Sequence, residues 1–130
     1  MSKFAIAFVL FAALASGVAS ACSQLSLANV GVKNMTSDGN LNHYQINGVV
    51  TNNGATQPSS TLQAVDIYKG TVKKDSKSIP PLKAGQSFTF TYVSDRSSDA
   101  GKGTTHLRFV LDSKNGSMCS TPTSPVTVTF

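Results

Sequence analysis

Residues 43–50 read His43-Tyr44-Gln45-Ile46-Asn47-Gly48-Val49-Val50, and residues 88–92 read Phe88-Thr89-Phe90-Thr91-Tyr92. In the first stretch Tyr44, Ile46, Gly48 and Val50 take every second position. In the second, three aromatic residues do so with threonine between them. A repeat of two places one set of side chains on one face of an extended chain and the other set on the opposite face, which is the pattern of a half-buried β-strand. Leu107, Phe109 and Leu111 alternate in the same way, as do Val126, Val128 and Phe130. Less regular apolar runs at 25–32, 62–68 and 71–79 supply the remaining strands. Turn formers separate them at Ser37-Asp38-Gly39-Asn40, Asn53-Gly54, Lys69-Gly70, Ala84-Gly85, Asp99-Ala100-Gly101 and Asn115-Gly116.

About seven short strands and no helical periodicity after residue 21 predict an all-β chain, an immunoglobulin-like or fibronectin-III-like antiparallel β-sandwich. The residues expected between its sheets are Leu27, Val30, Ile46, Val50, Leu62, Val65, Ile67, Leu82, Phe88, Phe90, Leu107, Phe109, Leu111, Val126 and Val128. Asp66 is expected to face water, and residues 94–105 are expected to form a loose loop.

Composition agrees with one small domain. The chain has 130 residues, 40% hydrophobic and 13% charged, with 11 basic against 6 acidic side chains and a net charge of +5. All the acids are aspartate, and there is no tryptophan. Neutral overall hydropathy with seven Phe and three Tyr excludes a disordered polymer, and no repeat or low-complexity tract is present.

The first 21 residues read as a secretory signal peptide. Lys3 precedes an apolar run over residues 4–14, and Ala19-Ser20-Ala21 sets small residues before a cleavage point. The run is shorter than the roughly 20 residues needed to span a bilayer. The expected division is therefore a signal at 1–21 and a single domain over 22–130, in a secreted or periplasmic protein that does not span a membrane. Cys22 and Cys119 form an even pair in an oxidising compartment, which predicts a disulfide. The alternative is a bacterial lipoprotein anchored through an acylated Cys22. Asn34-Met35-Thr36 and Asn115-Gly116-Ser117 are glycosylation sequons in a eukaryotic host and turn residues in a bacterial one.

Catalytic patterns are not found. His43 and His106 fall on polar strand positions, no serine sits in a G-x-S-x-G elbow, and the scattered aspartates form no paired-carboxylate pattern. Asp95 to Gly101 lacks the spacing of an EF-hand and carries a nearby Arg96 and Lys102. No metal, cofactor or nucleic-acid partner is implied. Lys69, Lys73, Lys74 and Lys77 form the one concentrated charge feature. They either offer a surface to an anionic partner or protect an edge strand from pairing.

Val50-Thr51-Asn52-Asn53-Gly54, then Leu82-Lys83-Ala84-Gly85-Gln86-Ser87, then Asp112-Ser113-Lys114-Asn115 resemble, in order and spacing, the motifs of CARDB, the cell-adhesion-related domain found in bacteria. The FxLYD type of small bacterial sandwich shares the first two, and Asp112 with Asn115 favours CARDB. The resemblance covers most of residues 25–116 and implies an immunoglobulin-like sandwich. Its motifs read as fold devices: positive φ at Gly54 and Gly85, backbone bonding by Asn52, and Leu82 closing one end. Cys119 stands near the position at which many members carry a glutamate, and this chain has no glutamate at all. The expected function is a non-enzymatic binding or adhesion module, secreted or of the cell envelope. It would present loops or a sheet edge to an anionic glycan, an envelope surface or a protein. A structural protein that joins a partner by strand addition is the alternative, and a small secreted enzyme or inhibitor the outlier.

Overall fold

The computed structural model describes residues 23–98, 104–115 and 125–130. The proposed signal at 1–21, both cysteines, Cys22 and Cys119, and residues 99–103 lie outside the described residues.

Seven strands follow one another: β1 (Leu25–Asp38), β2 (Leu41–Asn52), β3 (Gln63–Lys69), β4 (Val72–Ile79), β5 (Ser87–Ser97), β6 (His106–Ser113) and β7 (Val126–Thr129). They build two antiparallel sheets, ordered β1-β2-β5 and β4-β3-β6-β7. This is the expected seven-strand sandwich. Its fourth strand stays beside the third, whereas in the immunoglobulin constant type it joins the first two, so the fibronectin-III-like arrangement is the one adopted.

Alternation fixes the core. Ile46, Val50 and Phe90 from one sheet meet Val65, Ile67, Leu107, Phe109, Leu111 and Val128 from the other, and Leu82 closes one end. Leu27, Val30 and Phe88 pack at its margin, and Val126 is half-buried. Leu25, Ala64 and Ile79 are buried in addition. Leu62 is not a core residue and is 60% exposed. Inward positions on β3 are Gln63, Val65 and Ile67, so Leu62 has the wrong parity and precedes the strand.

Two strands are longer than their apolar pattern. Residues 32–38 of β1 are exposed on both faces, yet pair with β2 as far as Asp38 opposite Leu41. The part of the expected loop at 94–97 is instead the end of β5, where Ser94 to Ser97 pair with Tyr44 to Leu41. The period-two signal depends on one covered face, so it fades where neither face is covered.

At the Leu82 end, the resemblance motifs meet. Asn52 is 0% exposed. Its Oδ1 accepts from the N–H groups of Gln24 and Gly54, while its Nδ2 donates to the carbonyls of Ala55 and Leu82. Every bonding position of this buried amide is thereby used. Gly85 has φ 79°, as expected. Gly54 does not, since the left-handed glycines among the described residues are Gly39, Gly70 and Gly85. It serves the turn through its N–H bond to Asn52. Beside this site Gln57 and Gln63 form a reciprocal amide pair, with bonds of 2.7 and 2.8 Å.

Candidate functional site

The four lysines named from sequence lie on the hairpin of β3 and β4, and β4 is an edge strand. The hairpin forms because Gly70, at φ 62°, occupies the first central position of a two-residue turn between Lys69 and Val72. Opposite Ile67 and Tyr68 stand Asp75 and Lys73, so Lys74 is the extra residue of a bulge.

The structure divides the cluster into two pairs. Lys73 Nζ lies 3.5 Å from Asp66 Oδ1. Lys77 Nζ lies 3.3 Å from Asp75 Oδ2 and 5.9 Å from the centre of the Tyr92 ring. Lys69 and Lys74 are exposed and make no ion pair among the described residues. Bulge and lysines together blunt this edge, as the protective reading requires, and still leave two cations directed to solvent.

Asp66 corrects an expectation. Its alternation is right, since Val65 and Ile67 point inward, but the carboxylate is 3% exposed. Side chains from neighbouring strands cover the outer face above it. Ser76 Oγ donates to Oδ1 at 2.6 Å, and Lys114 Nζ stands 3.0 Å from Oδ2 and 2.7 Å from Asp112 Oδ2. Burial pushes the Asp66 carboxyl upward, but the bonds from Ser76 and Lys114 and the charges of Lys114 and Lys73 outweigh it and hold it below its ordinary value. Lys114 is held above its own ordinary value by its bonds to Asp112 and Asp66.

Next to Asp66 a row crosses the four-stranded sheet: Lys73, Tyr68, Arg108 and Thr127 are opposed in register. The Arg108 guanidinium sits 4.8 Å from the Tyr68 ring centre, within cation–π range. Arg108 is exposed and forms no ion pair among the described residues. Arg108 thus stacks on a half-buried ring at the end of the sheet where the β3–β4 turn carries Lys69 and Lys74.

The histidines do not combine. His43 Nδ1 bonds Asp95 Oδ1 across β2 and β5, on the outer face of the three-stranded sheet. His106 Nδ1 bonds Thr129 Oγ1 at 2.9 Å on the outer face of the other sheet. Among the described residues no three His, Cys, Asp or Glu side chains converge as metal ligands, and no helix is long and apolar enough to cross a membrane.

Comparison with protein-family models, curated proteins and solved structures finds no match for this chain. Sequence reasoning reached the lysine hairpin but missed Tyr68, Arg108, Asp66 and Lys114. Their common signal is strand parity: all but Lys114 are on strand positions alternating with core residues, and so share the outer face. Lys114 lies 48 residues beyond Asp66 in the chain, and only the pairing of β3 with β6 brings them together.

Proposed function

We propose that this chain is a non-enzymatic binding module of the extracellular space or cell envelope, and that its ligand is an anionic polymer such as an acidic glycan. The observation that carries this reading is the Arg108 guanidinium 4.8 Å from the Tyr68 ring centre, beside a hairpin whose Lys69 and Lys74, like Arg108, make no ion pair among the described residues. An aromatic face flanked by cations suits a sugar ring bearing carboxylate or sulfate groups, since the ring packs against the apolar side of the sugar while the cations meet its charge. The signal-like segment at 1–21 and the CARDB-like motifs support export and a binding role, and the CARDB assignment itself belongs to this proposal.

Retention on an acidic-polysaccharide column tests it. The double variant K69S/K74S is expected to elute at distinctly lower salt than the parent, and adding Arg108→Ser to weaken retention further. Exposed substitutions of this kind change stability by within about 0.5 kcal/mol, so folding is preserved. Unchanged elution of the triple variant would overturn the reading.

A further inference from the structure

We infer that Arg108 is the specificity-determining residue of this surface and Tyr68 its positioning residue: the guanidinium takes one carboxylate or sulfate group of the polymer through two parallel N–H···O bonds. The inference rests on the anionic-polymer reading above and deepens it. Charge alone attracts the polymer, and the shape of its acid group decides how well it stays.

Arg108 reaches from β6 across the outer face of the four-stranded sheet to Tyr68, its opposed residue on β3. It is exposed, and its guanidinium makes no hydrogen bond or ion pair among the described residues. The register explains why. Because Asp66 opposes Val110, it stands diagonal to Arg108, but its buried carboxylate is already held by Ser76, Lys73 and Lys114. None of the other neighbours is acidic. Thr127 opposes Arg108 on β7, and His106 and Val110 lie two residues away on the same face of β6. His106 is occupied as well, with Nδ1 against Thr129 Oγ1 at 2.9 Å and Nε2 against Thr104 Oγ1 at 3.3 Å. The fold therefore leaves one guanidinium stacked on a ring with all its donors unused.

Stacking decides what those donors can do. An arginine side chain free in solvent loses rotamer freedom when it binds, whereas one resting on an aromatic face has its plane set before the ligand arrives. The ring covers one face of that plane, so the edges are what remain. An edge offers two parallel N–H groups at the spacing of two oxygens on one carbon or sulfur atom, and such paired, charge-assisted bonds are stronger than a single one. A lysine at this position would keep the charge and lose the fork. Lys69 and Lys74 have no comparable ring contact, so they act as hydrated point charges that draw the polymer in without reading it.

The test titrates the full chain with polygalacturonate, which carries carboxylates, and separately with dextran sulfate, so that the two acid groups are told apart. Arg108→Lys is expected to weaken binding of at least one polymer roughly fivefold, nearly as much as Arg108→Ser does, while K69R/K74R binds like the parent. Tyr68→Phe keeps the ring and is expected to retain parental affinity. Tyr68→Leu keeps only the bulk, and is expected to match Arg108→Lys and to add nothing when combined with it. Should Tyr68→Leu not fold, the Arg108 Nε–H resonance of the parent supplies the second readout, and it is expected to shift as polymer is added. Parental affinity of Arg108→Lys for both polymers, an unmoved Arg108 resonance, or equal losses in Tyr68→Phe and Tyr68→Leu would overturn the inference and leave the anionic-polymer reading standing. Parental affinity of the K69S/K74S/R108S variant would overturn both.

Discussion

Gly48 faces inward on β2 directly opposite Phe90 on β5. A Cβ at this position would come 2.4 Å from the Phe90 ring and 3.1 Å from Val30 Cγ2, so the ring occupies the space that any other residue would fill. Gly48→Ala is expected to lower stability by about 2 kcal/mol through forced repacking, read as a fall in denaturation midpoint with a changed Phe90 environment by NMR. An unchanged midpoint would show that the ring can move aside freely. Asp66 carries a pH dependence of definite sign. Because its folded carboxyl titrates below the unfolded value near 3.8, its contribution is complete above that value and is lost as pH falls through the lower, folded one. Stability of the parent is therefore expected to drop more steeply below pH 4 than that of Asp66→Asn, as urea midpoints measured from pH 6 to pH 2 would reveal. Parallel curves would mean that the carboxylate contributes the same to both states.

Both two-residue hairpin turns place glycine at the first central position, Gly39 at φ 59° and Gly70 at φ 62°. Nothing lies within 4 Å of a Cβ built on either, so the requirement for glycine is purely one of backbone conformation. Gly70→Ala is expected to cost about 1 kcal/mol, measured by thermal unfolding, and to loosen the hairpin that carries Lys69 and Lys74; a gain in stability would contradict the turn geometry. The same reasoning explains which elements could be read from sequence. Phe88-Thr89-Phe90-Thr91-Tyr92 declares a strand because the opposite sheet covers one of its faces. Ser94 to Ser97 continue that strand with polar residues on both sides, and their hydrogen bonds to β2 leave no trace in hydrophobic pattern. On β3, parity shows that Asp66 points away from the core, but not that Ser76 and Lys114 will close over it, since that depends on which strands become neighbours. Gln57 and Gln63 were missed for a related reason. A buried amide has no apolar signature, and its compatibility with the interior rests on a partner that only the fold supplies.

Strand direction orders the whole molecule. β1 starts beside Asn52 at the Leu82 end, and β6 finishes there, with Ser113 opposite Gln63 and Asn115 Nδ2 bonded to the Ser60 carbonyl. Ser23, next to Cys22, and Asn115, four residues before Cys119, thus belong to one end of the sandwich. A non-reducing digest is expected to yield a peptide containing Cys22 linked to one containing Cys119. Reduction would then remove stabilisation of up to about 4 kcal/mol, given the length of the enclosed loop. Two free thiols, or an acylated Cys22, would refute the pairing. Phe130 lies at the other end, its ring 4.4 Å from that of Tyr44 and its carbonyl accepting from Arg96 Nη1 and the Thr105 N–H. Tension applied between Ser23 and Phe130 would act along the strands. Ladder bonds run across that line, so those joining β1 to β2 and β6 to β7 would be loaded together in shear, rather than one after another as when a zip is opened. Failure under load is set by the rate of unfolding, and a sandwich pulled lengthwise resists until many bonds give way at once.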